Sequence, residues 1–213
     1  ITPDCPVYGK CGGCSLRHIS YEAELAAKQR FVHDAFTRIG GLSPQFLPII
    51  ANDEIYGYRN KLQMPIGTDN DGNLTAGFYA FHSHRIIPCK KCLLQPDIFS
   101  DIVNEFLKSA QELNISAYDE IARKGILRHI YLRKGHYSGE TALCIVAAKY
   151  IPALKELSEK LCGKFPQIKT SVININSEDT NVILGNKEIV LQGDGIISDT
   201  MCGNKINIAP KAF

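Results

Sequence analysis

The sequence predicts an α+β fold, in which a hairpin-rich antiparallel or mixed sheet is combined with a few helices. Three observations indicate this class. Short segments with alternating polar and apolar residues are joined by glycine-containing turns, as in β-hairpins. Longer segments show helical periodicity, but strands and helices do not follow one another as a run of βαβ units. No glycine-rich nucleotide loop follows a strand, so we expect no complete Rossmann domain in this chain.

Length, charge and hydropathy narrow the classes of protein that the chain can represent. Its 213 residues are enough for one sizeable domain or two small ones, and 45% of them are hydrophobic. No segment approaches the ~20 apolar residues of a membrane span, and the N-terminus lacks the pattern of a signal peptide. A net charge of +2 leaves any nucleic-acid surface to local basic patches. We therefore expect a cytoplasmic protein with no membrane partner.

The N-terminal half is predicted to contain one helix, a hairpin and a short third strand. Ser20 is a suitable N-cap for a helix to about Ile39, which a pair of glycines ends. Alternation over residues 56–66 indicates a half-buried strand, and the turn at residues 69–73 joins it to the next strand. The other two predicted strands of this half are Leu74 to Tyr79 and Arg85 to Pro88.

The C-terminal half is predicted to contain two helices among further strands. Pro96 marks a helix start before the periodic residues 98–113, and Pro152 opens a helix to about Cys162. Two strands, Ile126 to Arg133 and Glu140 to Ala148, are joined by a glycine turn. The remaining predicted strands are Lys169 to Ile175, Val182 to Leu184, Glu188 to Gln192 and Lys205 to Ile208.

Five of the eight cysteines are grouped in a way that is typical of metal or redox chemistry in intracellular proteins. Cys5, Cys11 and Cys14 form a C-x5-C-x2-C loop, whereas Cys89 and Cys92 form a C-x2-C pair. Glycines between the first three cysteines allow the loop to wrap around one inorganic centre. A centre that joins the two groups would tie together two distant segments of the chain.

Two kinds of centre fit these cysteines. A zinc site would use Cys11, Cys14, Cys89 and Cys92 as two C-x2-C pairs, and spacing alone favours this site. A [4Fe–4S] cluster would use Cys5, Cys11 and Cys14 together with one of Cys89 or Cys92. The other three cysteines are expected to be small buried hydrophobic residues: Cys144, Cys162 and Cys202.

Several motifs of this chain resemble those of the RNA (uracil-5-)-methyltransferase family, and most closely those of its ribosomal RNA members. The first is the C-x5-C-G-G-C loop, followed by Ser20-Tyr21-Glu22 and a helix with Lys28. The others are Tyr58-Arg59-Asn60-Lys61, Gly77-Phe78-Tyr79, His84-Arg85-Ile86-Ile87, Cys92, Leu127-Arg128-His129 and Ile208-Ala209-Pro210-Lys211-Ala212-Phe213. The motifs appear in the family's order along nearly the whole chain.

The resemblance implies a [4Fe–4S] cluster on Cys5, Cys11, Cys14 and Cys92, and so reverses the preference for zinc. In the family, the fourth cysteine lies a few residues after the H-R-I-I segment and is usually followed by proline. Cys92 occupies this place without the proline, and Cys89 is an additional cysteine. We expect a structural role for the cluster, because methyl transfer requires no electron.

The resemblance also implies three modules: an RNA-binding TRAM β-barrel, a cluster-bearing central domain and a Rossmann-like methyltransferase domain. This chain would cover only the central module. We expect residues 1–19 to form the iron–sulfur loop and residues 20–42 a helix that can pack with the methyltransferase domain. Residues 43–208 would form the central α+β RNA-binding domain, and residues 209–213 would begin the truncated methyltransferase domain.

In this family, S-adenosylmethionine supplies a methyl group to uracil C5. A cysteine of the enzyme first adds to C6, and a base later removes the C5 proton. The resemblance places the nucleophile, the base and the S-adenosylmethionine contacts beyond Phe213. We therefore expect none of the eight cysteines to be catalytic, and the fragment by itself to be inactive.

Two basic patches are candidates for contacts with RNA phosphates. One lies near the cysteine segments and the other lies on the predicted hairpin that begins at Ile126. The last aromatic residue matches a family aromatic that lies near the RNA, where its ring can stack on a base. The predicted RNA contacts are Arg59, Lys61, Lys90, Lys91, Arg128, His129 and Phe213.

We interpret the chain as the cluster-bearing central domain of an S-adenosylmethionine-dependent ribosomal RNA uracil-5 methyltransferase. Its expected partner is ribosomal RNA, and no protein partner is implied. One alternative is a zinc-stapled RNA-binding module without catalytic activity. Another is a small iron–sulfur electron carrier, which the lack of a second redox motif disfavours.

Overall fold

The structure, a computed structural model, describes residues 1–212. Over this range the chain forms three α-helices, one π-helical segment and nine strands. The helices are α1 (Tyr21–Asp34), α2 (Asp97–Glu112) and α3 (Pro152–Lys164), and the π-helical segment is Ala35–Ile39. The strands are β1 (Lys61–Thr68), β2 (Leu74–Tyr79), β3 (Ile86–Pro88), β4 (Leu127–Lys134), β5 (Thr141–Ala147), β6 (Ile168–Ile175), β7 (Lys187–Gln192), β8 (Ile197–Met201) and β9 (Asn204–Ile208).

Seven of these strands in the described range form one mixed sheet, in the order β3-β2-β1-β4-β5-β6-β7. The β5–β6 pair is parallel and is joined by α3, whereas the other neighbours are antiparallel. The β1–β4 pair lies inside the sheet and connects the N-terminal strands to the C-terminal strands. Strands β8 and β9 form a separate hairpin. These observations confirm the predicted α+β class and its mixed, hairpin-rich sheet.

Helices α2 and α3 cover one face of the sheet and form the main hydrophobic core with it. Their buried apolar side chains are spaced three or four residues apart, which places them on one stripe of each helix. In β1, Leu62, Met64 and Ile66 alternate along the strand and join this core. The largest fully buried helical side chains are Phe99, Ile102, Phe106, Leu154, Leu157 and Leu161.

The connection between β6 and β7 covers part of the opposite face. Ile183 and Leu184 of this connection pack on a smaller cluster: Tyr131, Cys144, Val146 and Val172. Two buried asparagines hold the connection in place. The Asn174 amide exchanges hydrogen bonds with the backbone of Gly185, and Asn176 Nδ2 donates to the carbonyl oxygens of Val182 and Ile183 at 2.6 and 3.1 Å. The connection therefore has a fixed course without regular secondary structure.

The predicted helix over residues 20–39 is confirmed as α1 followed by the π-helical segment. Ser20 Oγ accepts a hydrogen bond from the N–H of Ala23, as an N-cap should. No residue of α1 is buried in the described structure, and Phe31 is 65% exposed. Among the helices of residues 1–212, none combines the length and apolar character that a membrane crossing requires.

Two predicted strands differ from the structure. The first was expected from Tyr56, but β1 begins at Lys61. The N–H groups of Gly57 and Arg59 instead donate to the carbonyls of residues 93 and 94, at 2.9 Å in both cases. Residues 182–184 are not a strand, because their carbonyls accept from the Asn176 amide rather than from a neighbouring strand.

The last hairpin shows a missed strand and a wrong cysteine assignment. Strand β8 was not predicted, because it contains few apolar residues and its Asp199 is buried. Cys202 was expected to be buried, but it is exposed at the turn between β8 and β9. Cys202 and Gly203 both have positive φ, 49° and 78°, as a tight two-residue hairpin turn requires. Cys144 is buried and Cys162 is half-buried.

Candidate metal centre and nucleic-acid surface

The N-terminal cysteine loop is folded by turns and attached to the end of β2. The N–H of Cys11 donates to the carbonyl of Val7 at 2.9 Å, and the N–H of Gly12 donates to the carbonyl of Tyr79 at 3.0 Å. A Cβ atom at position 12 would lie 3.2 Å from that Tyr79 oxygen. Glycine therefore allows the loop to approach the strand this closely.

Asp4 and Arg17 close the two ends of this loop. The Arg17 guanidinium donates to both Asp4 carboxylate oxygens, at 2.7 and 2.8 Å, and Tyr56 Oη donates to the same carboxylate at 2.9 Å. The hydrogen bond from Arg17 is the main cause that holds the pKa of Asp4 below its usual range. These contacts fasten the loop to the segment that precedes β1.

The structure brings the two cysteine groups together around one small cavity of about 50 Å³. The second group follows β3 directly, and the N–H of Gln95 donates to the carbonyl of Cys92 at 3.0 Å. Arg59 also lines this cavity, because its segment pairs with the backbone just beyond Cys92. The cysteines that line the cavity are Cys5, Cys11, Cys14, Cys89 and Cys92.

Burial favours the protonated form of three of these thiols. It raises the pKa of Cys14 and Cys92, and it raises the pKa of Cys89 to about 12. The Arg59 guanidinium acts in the opposite direction on Cys14 and Cys92. A metal or cluster binds thiolates, so its binding here would have to displace protons.

The donor set fits a four-thiolate centre, but it does not by itself distinguish the kinds of centre. Both zinc and a [4Fe–4S] cluster are held by four cysteine thiolates in proteins. Among residues 1–212, no group of three or more His, Cys, Asp or Glu side chains converges on one metal-ion position. The binding of a metal or cluster at these cysteines therefore stays a prediction.

Of the predicted RNA contacts in the first basic patch, only Arg59 lines the described cysteine cavity, and the three lysines lie within two residues of a residue that lines it. Lys90 and Lys91 lie between the two cysteines of the second group and are exposed, and Lys91 Nζ lies 2.9 Å from an oxygen of Asp97. Arg59 also lines a larger cavity of about 440 Å³ between the cysteine loop and α1. Lys61 begins β1, opposite Arg133 of β4.

Arg128 and His129 line a different cavity, of about 550 Å³, on the second face of the sheet. Arg128 is buried, and its guanidinium donates to the Glu120 carboxylate at 3.0 and 2.9 Å and to the carbonyls of residues 176 and 178. Burial, reinforced by the Arg128 charge, lowers the pKa of His129 to about 4. His129 is therefore a neutral imidazole near neutral pH.

Relatives with the same sequence pattern carry a common name. A Bacillus cereus protein (strain ATCC 10987 / NRS 248), named an uncharacterized RNA methyltransferase, is 40% identical over 212 residues, which are 99% of this chain and 46% of that relative. A protein of the same description from Halalkalibacterium halodurans is 39% identical over 215 residues, which are 100% of this chain and 47% of that relative. Nearly the whole chain is therefore similar to part of proteins that are named RNA methyltransferases.

The similarity covers nearly all of this chain but only part of each relative. The chain spans about half the length of these RNA methyltransferase relatives. No protein-family model matches it. A solved structure, Pyrococcus abyssi tRNA (uracil-54, C5)-methyltransferase in complex with S-adenosyl-L-homocysteine, superposes with a TM-score of 0.71 at 21% identity. The alignment covers 98% of this chain and 47% of that chain, and at this identity it shows a shared fold.

Some residues of these sites were not found from the sequence, and one predicted residue lies outside the described range. Glu120 lines the second cavity, and Asn174 and Asn176 hold the segment that forms one of its walls. None of the three belongs to a motif that the sequence revealed. An asparagine inside a predicted strand, Asn174, with a second one directly after its end, Asn176, is unusual, and this was the available signal. Phe213, a predicted RNA contact, lies outside the described residues.

Proposed function

We propose that the chain is the RNA-binding central part of a uracil-C5 RNA methyltransferase that acts on ribosomal RNA in the cytoplasm. The observation that carries this proposal is the 40% identity, along 99% of the chain, to a relative named an RNA methyltransferase. The fold of the tRNA uracil-C5 methyltransferase supports the base and atom that we propose as the target. S-adenosylmethionine would supply the methyl group in the whole protein, and this chain alone would be inactive.

We propose that Cys5, Cys11, Cys14 and Cys92 hold a [4Fe–4S] cluster. The convergence of the two cysteine groups on one cavity supports this assignment. The Arg59 guanidinium would offset part of the negative charge.

The proposed RNA surface consists of the exposed basic side chains around this centre. Cluster binding would fix the segment that carries Lys90 and Lys91 against the N-terminal loop. Clustered cationic groups at the surface contact phosphates and give little sequence information. The proposed phosphate contacts of this surface are the exposed Arg59, Lys90 and Lys91 and the half-buried Lys61. Of the other predicted contacts, Arg128 and His129 line the second cavity, and Phe213 lies outside the described residues.

The centre is tested by purifying the protein without oxygen and measuring its visible spectrum and its iron, sulfide and zinc content. Brown protein with about four irons and four sulfides per chain is expected, as a four-thiolate cubane requires. Colourless protein with one zinc per chain would contradict the cluster and would favour Cys11, Cys14, Cys89 and Cys92 as ligands.

The RNA substrate is tested by fluorescence anisotropy with transcripts of ribosomal RNA segments and of a transfer RNA. Binding to ribosomal segments is expected to be tighter at matched salt, since salt changes the affinity for every phosphate backbone. Tighter binding to the transfer RNA would contradict ribosomal RNA as the substrate but not the RNA methyltransferase family. Full-length protein in the same assay provides the reference affinity.

A further inference from the structure

The cavity that Arg128 and His129 line has no role in the function proposed above. Its walls are Tyr79 at the end of β2, the first residues of β4 and the segment 179–183. A volume of about 550 Å³ lies within the ~300–1,000 Å³ that is usual for small-ligand pockets. Cavities of this size with fixed polar groups are candidates for specific recognition.

One wall of the cavity is held in place by buried polar groups. Arg128 donates to the carbonyls of Asn176 and Glu178 at 3.0 and 2.9 Å, and Asn176 holds residues 182 and 183. Burying polar side chains is unfavourable unless they are hydrogen-bonded. Here their hydrogen bonds go to the backbone of a segment without regular secondary structure, and they hold that segment in place. A wall that is already ordered lowers the entropic cost of binding a ligand.

The charges in the cavity favour an uncharged ligand. The Glu120 carboxylate accepts two hydrogen bonds from the Arg128 guanidinium and neutralises it, which leaves little to attract a phosphate. His129 is 7% exposed and lines the cavity, and its Nδ1 has no hydrogen-bond partner among residues 1–212. A neutral imidazole offers one donor and one acceptor, as the edge of a nucleobase does.

Aromatic rings lie at the mouth of the cavity. The Tyr79 side chain lines it and is 39% exposed, and the ring of His84 lies 5.5 Å from the Tyr79 ring. Phe81, at the tip of the same hairpin, is 73% exposed. Single-stranded RNA bases that have left the stack are bound by such rings and by hydrogen bonds to their edges.

We propose that this cavity binds one unstacked base of the RNA substrate, with His129 at the hydrogen-bonding edge of the base and Tyr79 against its face. The proposal rests on the proposed function, because RNA as the ligand class is taken from it. It adds a recognition site for a base that is bound without any bond being made or broken. The cavity would read an uncharged ring, while the basic residues around the cysteines would hold the phosphates.

The test blocks the cavity from its exposed side. Val182 is 62% exposed, and its side chain can be replaced without removing the backbone contacts that hold the segment. Val182→Trp is compared with Val190→Trp, a matched change at a 50% exposed position of β7. Asn181→Trp gives a second block from the same segment. The unfolding midpoint of each variant shows that it is folded.

Two labelled probes are titrated by fluorescence anisotropy: a single-stranded RNA oligomer of mixed sequence, and a base-free ribose-phosphate oligomer of the same length. Val182→Trp is expected to weaken binding of the RNA about tenfold, a change in the range that stacking of one base contributes. Binding of the base-free oligomer, and both affinities of Val190→Trp, are expected to match the unmodified protein.

Each other outcome overturns the proposal in a different way. RNA binding by Val182→Trp and Asn181→Trp at unmodified affinity would remove the cavity site but leave the proposed function standing. Equal weakening for both probes would assign the cavity to the phosphate backbone instead of a base. A failure of the unmodified protein to bind either probe would reject the RNA-binding function, and the base site with it.

Discussion

Cys89 and Cys92 line the same cavity, yet we propose that only Cys92 is a ligand. Cys92→Ser is expected to lose the visible absorbance and most of the iron, because three thiolates cannot complete a four-thiolate centre. Cys89→Ser is expected to keep both. The measurement is the iron and sulfide content after purification without oxygen, with Cys202→Ser at an exposed turn as the control.

The opposite pattern would identify different ligands. Iron that survives in Cys92→Ser but not in Cys89→Ser would assign the fourth ligand to Cys89. Zinc that is lost in both variants but kept in Cys5→Ser would favour the zinc site.

Asp199 shows how one carboxylate can fix a turn. It accepts hydrogen bonds from the N–H groups of His136, Tyr137 and Ser138, at 2.7, 3.1 and 3.0 Å. Burial raises the pKa of Asp199, but its backbone hydrogen bonds outweigh burial and hold the pKa below 3.8. Asp199→Asn is therefore expected to lower the free energy of unfolding by about 1–3 kcal/mol at neutral pH.

The pH dependence has a defined sign. A lowered pKa in the folded state gives stability that is present above pH 3.8 and is lost as the pH falls through the lowered value. The difference between the native chain and Asp199→Asn, measured by urea unfolding, should thus shrink below pH 3.8. Asp194→Asn, at an exposed position nearby, is the control. A difference that is independent of pH would exclude the carboxylate as its source.

Basic residues are the ones whose roles could least be predicted from the sequence. Arg128 was chosen as a phosphate contact, but Glu120 and two backbone carbonyls occupy its guanidinium. These partners are 8, 48 and 50 positions away in sequence, and no local pattern reveals such contacts. The cysteine spacing was more informative, because glycines and short separations limit where the thiols can lie.

Helices α1 and α2 differ in how much they contribute to the stability of the described fold. Phe106 of α2 is fully buried, whereas Phe31 of α1 is 65% exposed. Phe106→Ala is expected to lower the free energy of unfolding by about 3–5 kcal/mol. Phe31→Ala is expected to change it by less than about 0.5 kcal/mol. Urea unfolding followed by circular dichroism measures both, and a large loss for Phe31→Ala would show that α1 packs on the fold in solution.

At the level of elements, regular patterns were predicted well and irregular ones were not. The bounds of β2 agree with the structure because a turn precedes it and apolar residues continue through it. Residues 56–60 also alternate, but their hydrogen bonds go to the loop after Cys92. Strand β8 carries a buried carboxylate and little apolar sequence, so hydropathy could not reveal it.

For the molecule as a whole, the proposed cysteine centre would stabilise a different part of the chain from the hydrophobic core. The core lies between the sheet and two helices, whereas the centre joins the N-terminal loop to the segment after β3. Removal of the bound group by chelation is therefore expected to increase amide hydrogen exchange in residues 1–19. Protection in α2, β4 and β5 is expected to remain. Loss of protection throughout the sheet would show that the centre is required for the entire fold.

The order of the strands was not predictable from local patterns. Pairing of β1 with β4 brings together segments that lie more than 50 residues apart, on either side of α2. Hydropathy identifies which residues enter a core, but it does not identify which of several apolar strands become neighbours. The parallel β5–β6 pair could have been anticipated, because a helix connects two buried strands there.

The distance between the two cysteine groups also has a consequence for biosynthesis. Cys14 leaves the ribosome before Cys92 has been synthesised, and roughly 80 residues separate them. At about 5–20 residues per second, the three thiols of the first group would be present for about 4–16 seconds before the proposed fourth ligand is synthesised. During that interval the nascent chain depends on the reducing power of its surroundings to keep these thiols free. Alkylation of ribosome-stalled chains of increasing length would show when they become protected.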